Sequence, residues 1–521
     1  MGKLPKKVLL IIFTILSFSA NTFPRIRVQE DISVITYRVG GNRSQSFYPK
    51  NQTRYLYESK IGFENTLNKN VFYGNIFYRS TDDTLVDPQS FSIEQIYFGC
   101  KNDKMDFVMG DYYAYFSDYS LNNSLKGIKL EAREDLFNVS ILAGVDTSRW
   151  EDLWEERSPD SATRRYVWGL NLSNFLFDKK LKIGINYAGA RDDQAYFQDT
   201  DIYKDIQVCS LNLNYNLFNV VSLNAEIAES YRKADTSDLS LNPKWDNAYK
   251  VSLGLNKQKY NIYFEYQKAG PHFETTGGFS AQDLESFRTD NYFQIAKNIN
   301  FFPYFYVERD NLNNLKTTTS KRISPGFRIQ WNFKEDLSFN IGWDSLKEYT
   351  TDETTKATTR TISFGVLKNF KRFSTSLDYS FIKINDKADA SQKRKKHNIS
   401  IGLNGNLNFN KVDLGWNISE YIDLERVISV DDDNIVLTFS AGLNLRFFEK
   451  LNLDTQISIT DNDYYIDDND SNIYRYNFSL SYLIKDNLIF FIDYEQNDNY
   501  YADSNNDYFE KKITAKLSWR F

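Results

Sequence analysis

The chain has 521 residues, a mean hydropathy of -0.54 and a formal net charge of -6. That balance offers no clustered positive surface of the kind phosphate binding needs, so nucleic acid is excluded as a partner. Past residue 20 there is no apolar run of about 18 residues, which excludes a helical membrane protein. Aromatic residues make up 16% of the chain, with 40 Phe and 36 Tyr, more than an ordinary core requires. Such a content suits aromatic girdles at two membrane interfaces, and a low mean hydropathy is compatible with them when strands alternate lipid-facing and lumen-facing residues.

The chain begins with Lys3, Lys6 and Lys7, then an apolar run from Val8 to Phe18, then Ser19 and Ala20. A basic stretch, a short apolar run and small residues read as a secretory signal peptide over residues 1–20, with the mature chain starting near Asn21. No Cys lies near that point, so a lipoprotein anchor is not expected. The two cysteines, Cys100 and Cys209, enter a compartment that permits disulfides. Cys209 falls on the apolar face of the alternation Cys209, Leu211, Leu213, Tyr215, Leu217, so a bridge to Cys100 is not expected.

The first strands are expected at 31–39, 54–67 and 71–78, and a hairpin at 91–99 and 105–111 turns around Cys100 to Asp103. Then comes an unusual stretch, residues 110–127, containing Tyr112, Tyr113, Tyr115, Phe116 and Tyr119. Its aromatics do not alternate with polar residues, so it fits neither a lipid-facing strand nor a solvated loop. Two readings stand: a segment in the lumen or across the mouth, where aromatic faces line a constriction or stack on sugar rings, or an aromatic belt at a strand end.

From Ile128 onward one unit repeats: strand, short turn, strand, longer polar loop. Leu181, Ile183, Ile185 and Tyr187 alternate in this way, as do Phe327, Ile329, Trp331 and Phe333, and later Leu451, Leu453, Ile457 and Ile459. The longer connections are expected at 192–205, 232–247, 271–289, 385–396, 461–472 and 497–507. Short turns on one side and long loops on the other are the asymmetry of membrane barrels. A soluble array of β-sandwiches would show connections of similar length on both sides. A sheet in lipid must close to satisfy its backbone, so the fold expected is all-β, a transmembrane antiparallel up-and-down β-barrel of about 24 to 26 strands. A barrel so wide cannot fill its interior with its own side chains.

The last eleven residues carry the clearest signal. Ile513, Ala515, Leu517, Trp519 and Phe521 alternate with Thr514, Lys516, Ser518 and Arg520, giving one apolar and one polar face. This ending resembles the closing strand of Gram-negative outer-membrane β-barrels, porin-like proteins whose terminal Phe is an assembly signal. The resemblance implies export to the outer membrane, contact with its lipid and lipopolysaccharide, and recognition of the strand bearing Trp519 and Phe521 by the barrel-assembly machinery. It names no substrate.

The same alternation assigns Lys182, Glu226, Glu265, Arg328, Asp344, Asp378, Asp413, Arg446, Asp454, Asp493, Lys516 and Arg520 to the lumen. Charges of both signs suit a water-filled pore of little net selectivity or an interior that binds a polar plug or partner. With only His272 and His397, both expected in or beside loops, no histidine zinc site or catalytic triad is expected, and no cofactor motif is present. The Asp-rich loops lack the Gly-centred spacing of a Ca²⁺ loop. The basic run Lys393 to Lys396 is expected either at a solvated loop tip or against lipopolysaccharide phosphates. Two functions fit: a channel for small hydrophilic solutes, or a non-transporting barrel serving as scaffold, surface-interaction protein or sheath for a lumen partner such as a cytochrome. No enzymatic activity is expected.

Overall fold

A computed structural model describes residues 25–521 apart from 49, 148, 154–163, 194–203, 219, 235–243, 278–281, 429–431 and 465–469. The expected signal peptide lies outside the described residues. Among those described, 26 strands form one antiparallel sheet that closes on itself, at the upper end of the expected number. The first strand, β1 (Arg25–Gly41), pairs with both β2 (Gln52–Leu67) and the last, β26 (Tyr508–Arg520). The closing register runs from Gln29 opposite Arg520 to Gly41 opposite Tyr508. Beyond it, Val28 and Phe521 exchange two backbone hydrogen bonds of 2.7 and 2.9 Å, so the final residue is stitched into the seam.

The facing follows from this register. On β26 and β1 the apolar residues Ile32, Val34, Ile513, Leu517 and Trp519 point outward and are exposed. Their alternates Asp31, Ser33 and Lys516 point inward, and Lys516 bridges the seam to Asp31 at 2.9 Å. Carried around the ring, the same parity leaves Ile141, Ile185, Leu211, Ile341, Ile401 and Phe439 on the outside, all exposed. An apolar exterior on a closed barrel is the inverse of a soluble fold, and it is what lipid requires. The chain forms a transmembrane β-barrel.

Connections after even-numbered strands are two to four residues long, and those after odd-numbered strands reach 18 residues, at 147–164. In the short turns Asn68, Asp178 and Asn410 take positive φ, a conformation such side chains tolerate better than most. Strands extend further toward the long-loop end than the sequence suggests. The loop expected at 271–289 gives way at Leu284 to β14 (Leu284–Ala296), and that expected at 385–396 ends where β20 (Arg394–Phe409) begins. The basic run is therefore mostly strand and not loop tip, and His397 is a strand residue. The reason is physical: above the lipid both faces of a strand are wet, so pairing continues after the apolar alternation has stopped. Cys100 and Cys209 are both free thiols.

Leu517 sits in the apolar band of the closing strand, so its facing can be tested. Leu517→Arg should cost about 2–4 kcal/mol in vesicles, read as lower resistance to denaturant and loss of heat-modifiable mobility. Thr514→Arg, on the inner face of the same strand, should stay within about 0.5 kcal/mol. Equal losses would refute the assigned facing.

Candidate pore-lining site

Residues 110–127 form the upper halves of β5 (Met105–Ser117) and β6 (Leu121–Arg133), and there the two strands leave the wall. β4 (Phe91–Lys101) pairs with β5 only as far as Gly110, opposite Tyr97. β6 pairs with β7 (Phe137–Asp146) no further than Lys126, opposite Val145. Above those points β5 and β6 pair only with each other. The bend has a sequence cause. Gly110 and Gly127 face one another across the hairpin, and Gly110 has φ +113°. A Cβ on Gly110 would lie 2.2 Å from the Ile96 carbonyl oxygen, and one on Gly127 2.2 Å from that of Ala143. Only glycine allows the two backbones to fold inward so close to the wall.

The hairpin does alternate, by burial and not by polarity. Tyr112, Ala114 and Phe116 are buried together with Leu121 and Leu125, and they pack on Leu142, Val167, Ala188 and Ala190. Those four belong to the inward parity of β7, β8 (Arg165–Leu176) and β9 (Leu181–Asp192), so the hairpin lies against the inner wall. Phe116 seats over Gly169, whose missing side chain makes room for the ring. Tyr113 and Tyr115 occupy the other face and are more than half exposed, at 59% and 53%. The Tyr113 hydroxyl bonds Asn122, and that of Tyr115 donates to Asp118 at 2.9 Å.

The tip is latched further round the wall. Tyr119 is buried among Ile206, Val208, Ala228, Ala248, Ala269 and Phe273. The first five line the inner faces of β10 (Lys204–Leu217), β11 (Val221–Ala234), β12 (Lys244–Lys257) and β13 (Tyr260–Ala269). Phe273 comes from the following loop and meets Tyr119 edge-on at 5.5 Å. The Tyr119 hydroxyl donates to the Tyr249 carbonyl at 3.1 Å, and its backbone N–H donates to Glu226 at 3.3 Å. Ser117 bonds Ser210 at 3.0 Å, and Thr276 donates to the Ser120 carbonyl at 2.6 Å. Lys250 ties Asp118 at 2.9 Å and Glu265 at 3.3 Å. Burial alone would raise the Asp118 carboxyl, but the hydrogen bond and charge of Lys250, with the Tyr115 hydroxyl, hold it below the usual carboxylate range. Five large side chains buried at roughly 1.5–3 kcal/mol each give the hairpin on the order of 10 kcal/mol of apolar attachment before ordering costs.

Removing two strands from the wall exposes the upper edge of β4, and carboxylates take over the missing pairing. Glu151 accepts from the Ile93 N–H and Asp111 from the Ile96 N–H, each at 2.6 Å. Asp111 also holds Lys126 at 3.0 Å and the Trp150 indole N–H at 2.7 Å. Arg149 completes the seal on Asp87 at 2.7 Å. A second inward shelf lies over β1, where Tyr37 stacks with Tyr48 at 4.6 Å and donates to Asp83 at 2.6 Å.

The register places Lys182, Glu226, Glu265, Arg328, Asp344, Asp378, Asp413, Arg446, Asp454, Asp493, Lys516 and Arg520 on one parity, opposite the exposed apolar rows. Glu226, Glu265 and Lys516 are engaged as described. Asp344 accepts from Tyr304, Arg328 lies 4.8 Å over the Phe302 ring, and Asp454 accepts from Asn444 at 3.1 Å. Asp413 stands opposite Arg446. These groups are spread around the ring and do not converge on one point. His397 stacks near Phe381 and bonds Tyr379 at 2.9 Å, and the burial of His272 in its loop pushes its pKa down. Sequence reasoning missed the floor beneath the hairpin. Its signal was present in Ala188, Ala190, Val208, Ala228 and Ala248, small or apolar residues at positions where the inner face is otherwise polar.

No family model and no curated protein matches this chain. Among solved structures it is similar to the outer-membrane transporter YddB from Escherichia coli, with 10% identity, a TM-score of 0.46 and coverage of 96% of this chain and 81% of that one. The translocation pore of the P pilus usher PapC has 9% identity and a TM-score of 0.37, covering 95% and 99% of the two chains. A BenF-like porin from Pseudomonas fluorescens Pf-5 has 10% identity and a TM-score of 0.35, covering 69% and 99%.

Proposed function

We propose that this protein is an outer-membrane channel for passive passage of small hydrophilic solutes, narrowed from one side by the β5–β6 hairpin. The observation that carries this reading is the hairpin itself, bent out of the wall on paired glycines and fixed to the inner face over β7 to β13. Strands spaced about 4.8 Å apart and tilted about 40° make a ring of 26 roughly 50 Å across. One hairpin narrows such a bore without filling it. Tyr113 and Tyr115 then present aromatic faces to passing solute, and inner-wall charges of both signs set a transverse field with little net selectivity. The width of the bore favours a second reading, a barrel that encloses a partner. Neither reading assigns the chain a catalytic step.

Single-channel conductance of the refolded mature chain in a planar bilayer separates them. Stable steps that grow when residues 112–121 are deleted support the channel and its constriction. A folded, heat-modifiable barrel that does not conduct in either form sinks the channel and leaves the enclosing barrel.

The latch gives a pH dependence. The Asp118 pKa is lowered on folding, so the contribution of its ion pair with Lys250 to the docked tip is fully present above the unfolded carboxylate value of about 3.9. It is lost as pH falls through the lowered value. Conductance fluctuations should therefore appear only below about pH 4, and in Lys250→Gln, where the stabilising cation is gone, their onset should move to higher pH. An unchanged onset in that variant would show that the tip is not held by this pair.

A further inference from the structure

The outer surface carries an arrangement the channel does not explain. On β18 (Lys356–Asn369), β19 (Phe373–Asp386), β20 and β21 (Val412–Val427), Ile362, Phe381, His397 and Leu424 stand opposite one another in an outward row at the top of the apolar band. Two residues nearer the long-loop end, the next outward row reads Arg360, Lys383, Lys395 and Arg426, each directly opposite the next. Like charges facing each other across strands repel, and a run of four needs anions between them. Lys347 on β17 (Leu337–Thr350) adds a fifth cation one step higher.

The chain supplies counter-ions on the inside and withholds them here. The inward neighbours on the same strand, Arg394 and Lys396, share Glu425. Outward, Arg426 reaches Asp433 at 3.7 Å, but among the described residues the side chains of Lys347, Arg360, Lys383 and Lys395 have no ion pair or hydrogen bond. A groove of about 520 Å³ opens at this place, lined by Lys347, Arg360, Lys383, Lys387 and Lys356. Its two acidic residues are engaged elsewhere, Glu353 with Lys356 at 2.9 Å and Glu348 with Arg322 at 3.3 Å.

We propose that Lys347, Arg360, Lys383 and Lys395 form a site for a phosphorylated glycolipid of the outer leaflet, of the lipid A type. The height fits: the row lies immediately above exposed Ile362, which stands opposite Trp343, at the level of the head groups, on the long-loop side of the membrane. Acyl chains lie along the apolar band while the phosphates bridge the opposed cations, with the Arg360 fork able to grip two oxygens. The inference stands independently of whether the barrel conducts.

The test measures retention of lipid by the refolded full mature barrel in detergent, using native mass spectrometry. The probes are bisphosphorylated lipid A, its dephosphorylated form, and inorganic phosphate as competitor. Wild type should retain the bisphosphorylated lipid, and the variant Lys347→Gln, Arg360→Gln, Lys383→Gln, Lys395→Gln should lose at least tenfold in affinity. The control Lys180→Gln, Lys259→Gln, Lys411→Gln, Lys450→Gln, with the same charge change at the short-turn end, should bind as wild type. If the fourfold variant fails to fold, the pair Lys383→Gln, Lys395→Gln reads the same loss. Equal binding of the dephosphorylated lipid, unchanged binding by the variant, or displacement by equimolar inorganic phosphate would overturn the proposal.

Discussion

In hydrocarbon every backbone N–H and C=O must find a partner within the protein, and nearly everything in this structure follows from that demand. It makes the sheet close, and closure places β1 beside β26 across almost the whole chain, with Val28 and Phe521 exchanging the last pair of bonds. It also explains what happens where the wall is interrupted. Two strands cannot leave a membrane sheet without orphaning the edge they abandon. Above Gly110 the edge of β4 is met by the carboxylates of Glu151 and Asp111, charged acceptors that bond a backbone N–H more strongly than a carbonyl would. Lys126 and the Trp150 indole then neutralise and cover Asp111.

The inward hairpin and the wall beneath it are two halves of one sequence solution. Large side chains at Tyr112, Phe116, Leu121 and Tyr119 can dock only where the inner wall is smooth, and the wall supplies Gly169, Ala188, Ala190, Ala228 and Ala248 there. Elsewhere the inner face is built from longer polar groups such as Arg328, Asp454 and Lys516, which would hold a hairpin away from the wall. Polar ties at the tip fix direction as well as attachment. Ser117 finds β10, Asp118 and Tyr119 find β12, and Ser120 finds the loop after β13, so the tip is fixed from three places.

The barrel was legible in the sequence because lipid imposes a strict period of two on its exterior, and residues such as Leu517, Ile341 and Ile401 obey it without exception. The strand ends were not, because above the membrane neither face is selected for apolarity. Thus Arg394, Lys395 and Lys396 look like a loop tip although pairing runs through them. The hairpin was half legible. Its aromatics stood out, but its alternation is between a buried face, with Tyr112 and Phe116, and an open one, with Tyr113 and Tyr115, and residue type alone does not distinguish them. The pairing of Gly110 with Gly127 becomes meaningful only once the register is known.

Register also gives charges a meaning that composition hides. The same basic run places Arg394 and Lys396 inside, where Glu425 answers both, and Lys395 outside, where its neighbours across the sheet are Lys383 and Arg426. On the inside, Glu425 is mostly buried and its charge is met within the chain by both cations, since burying an unpaired charge is costly. Outer cations above the apolar band face a leaflet that can itself bring anions. A net charge of -6 therefore says nothing of this local arrangement, in which one strand carries cations answered by the chain on its inner side and a row of opposed cations on its outer side.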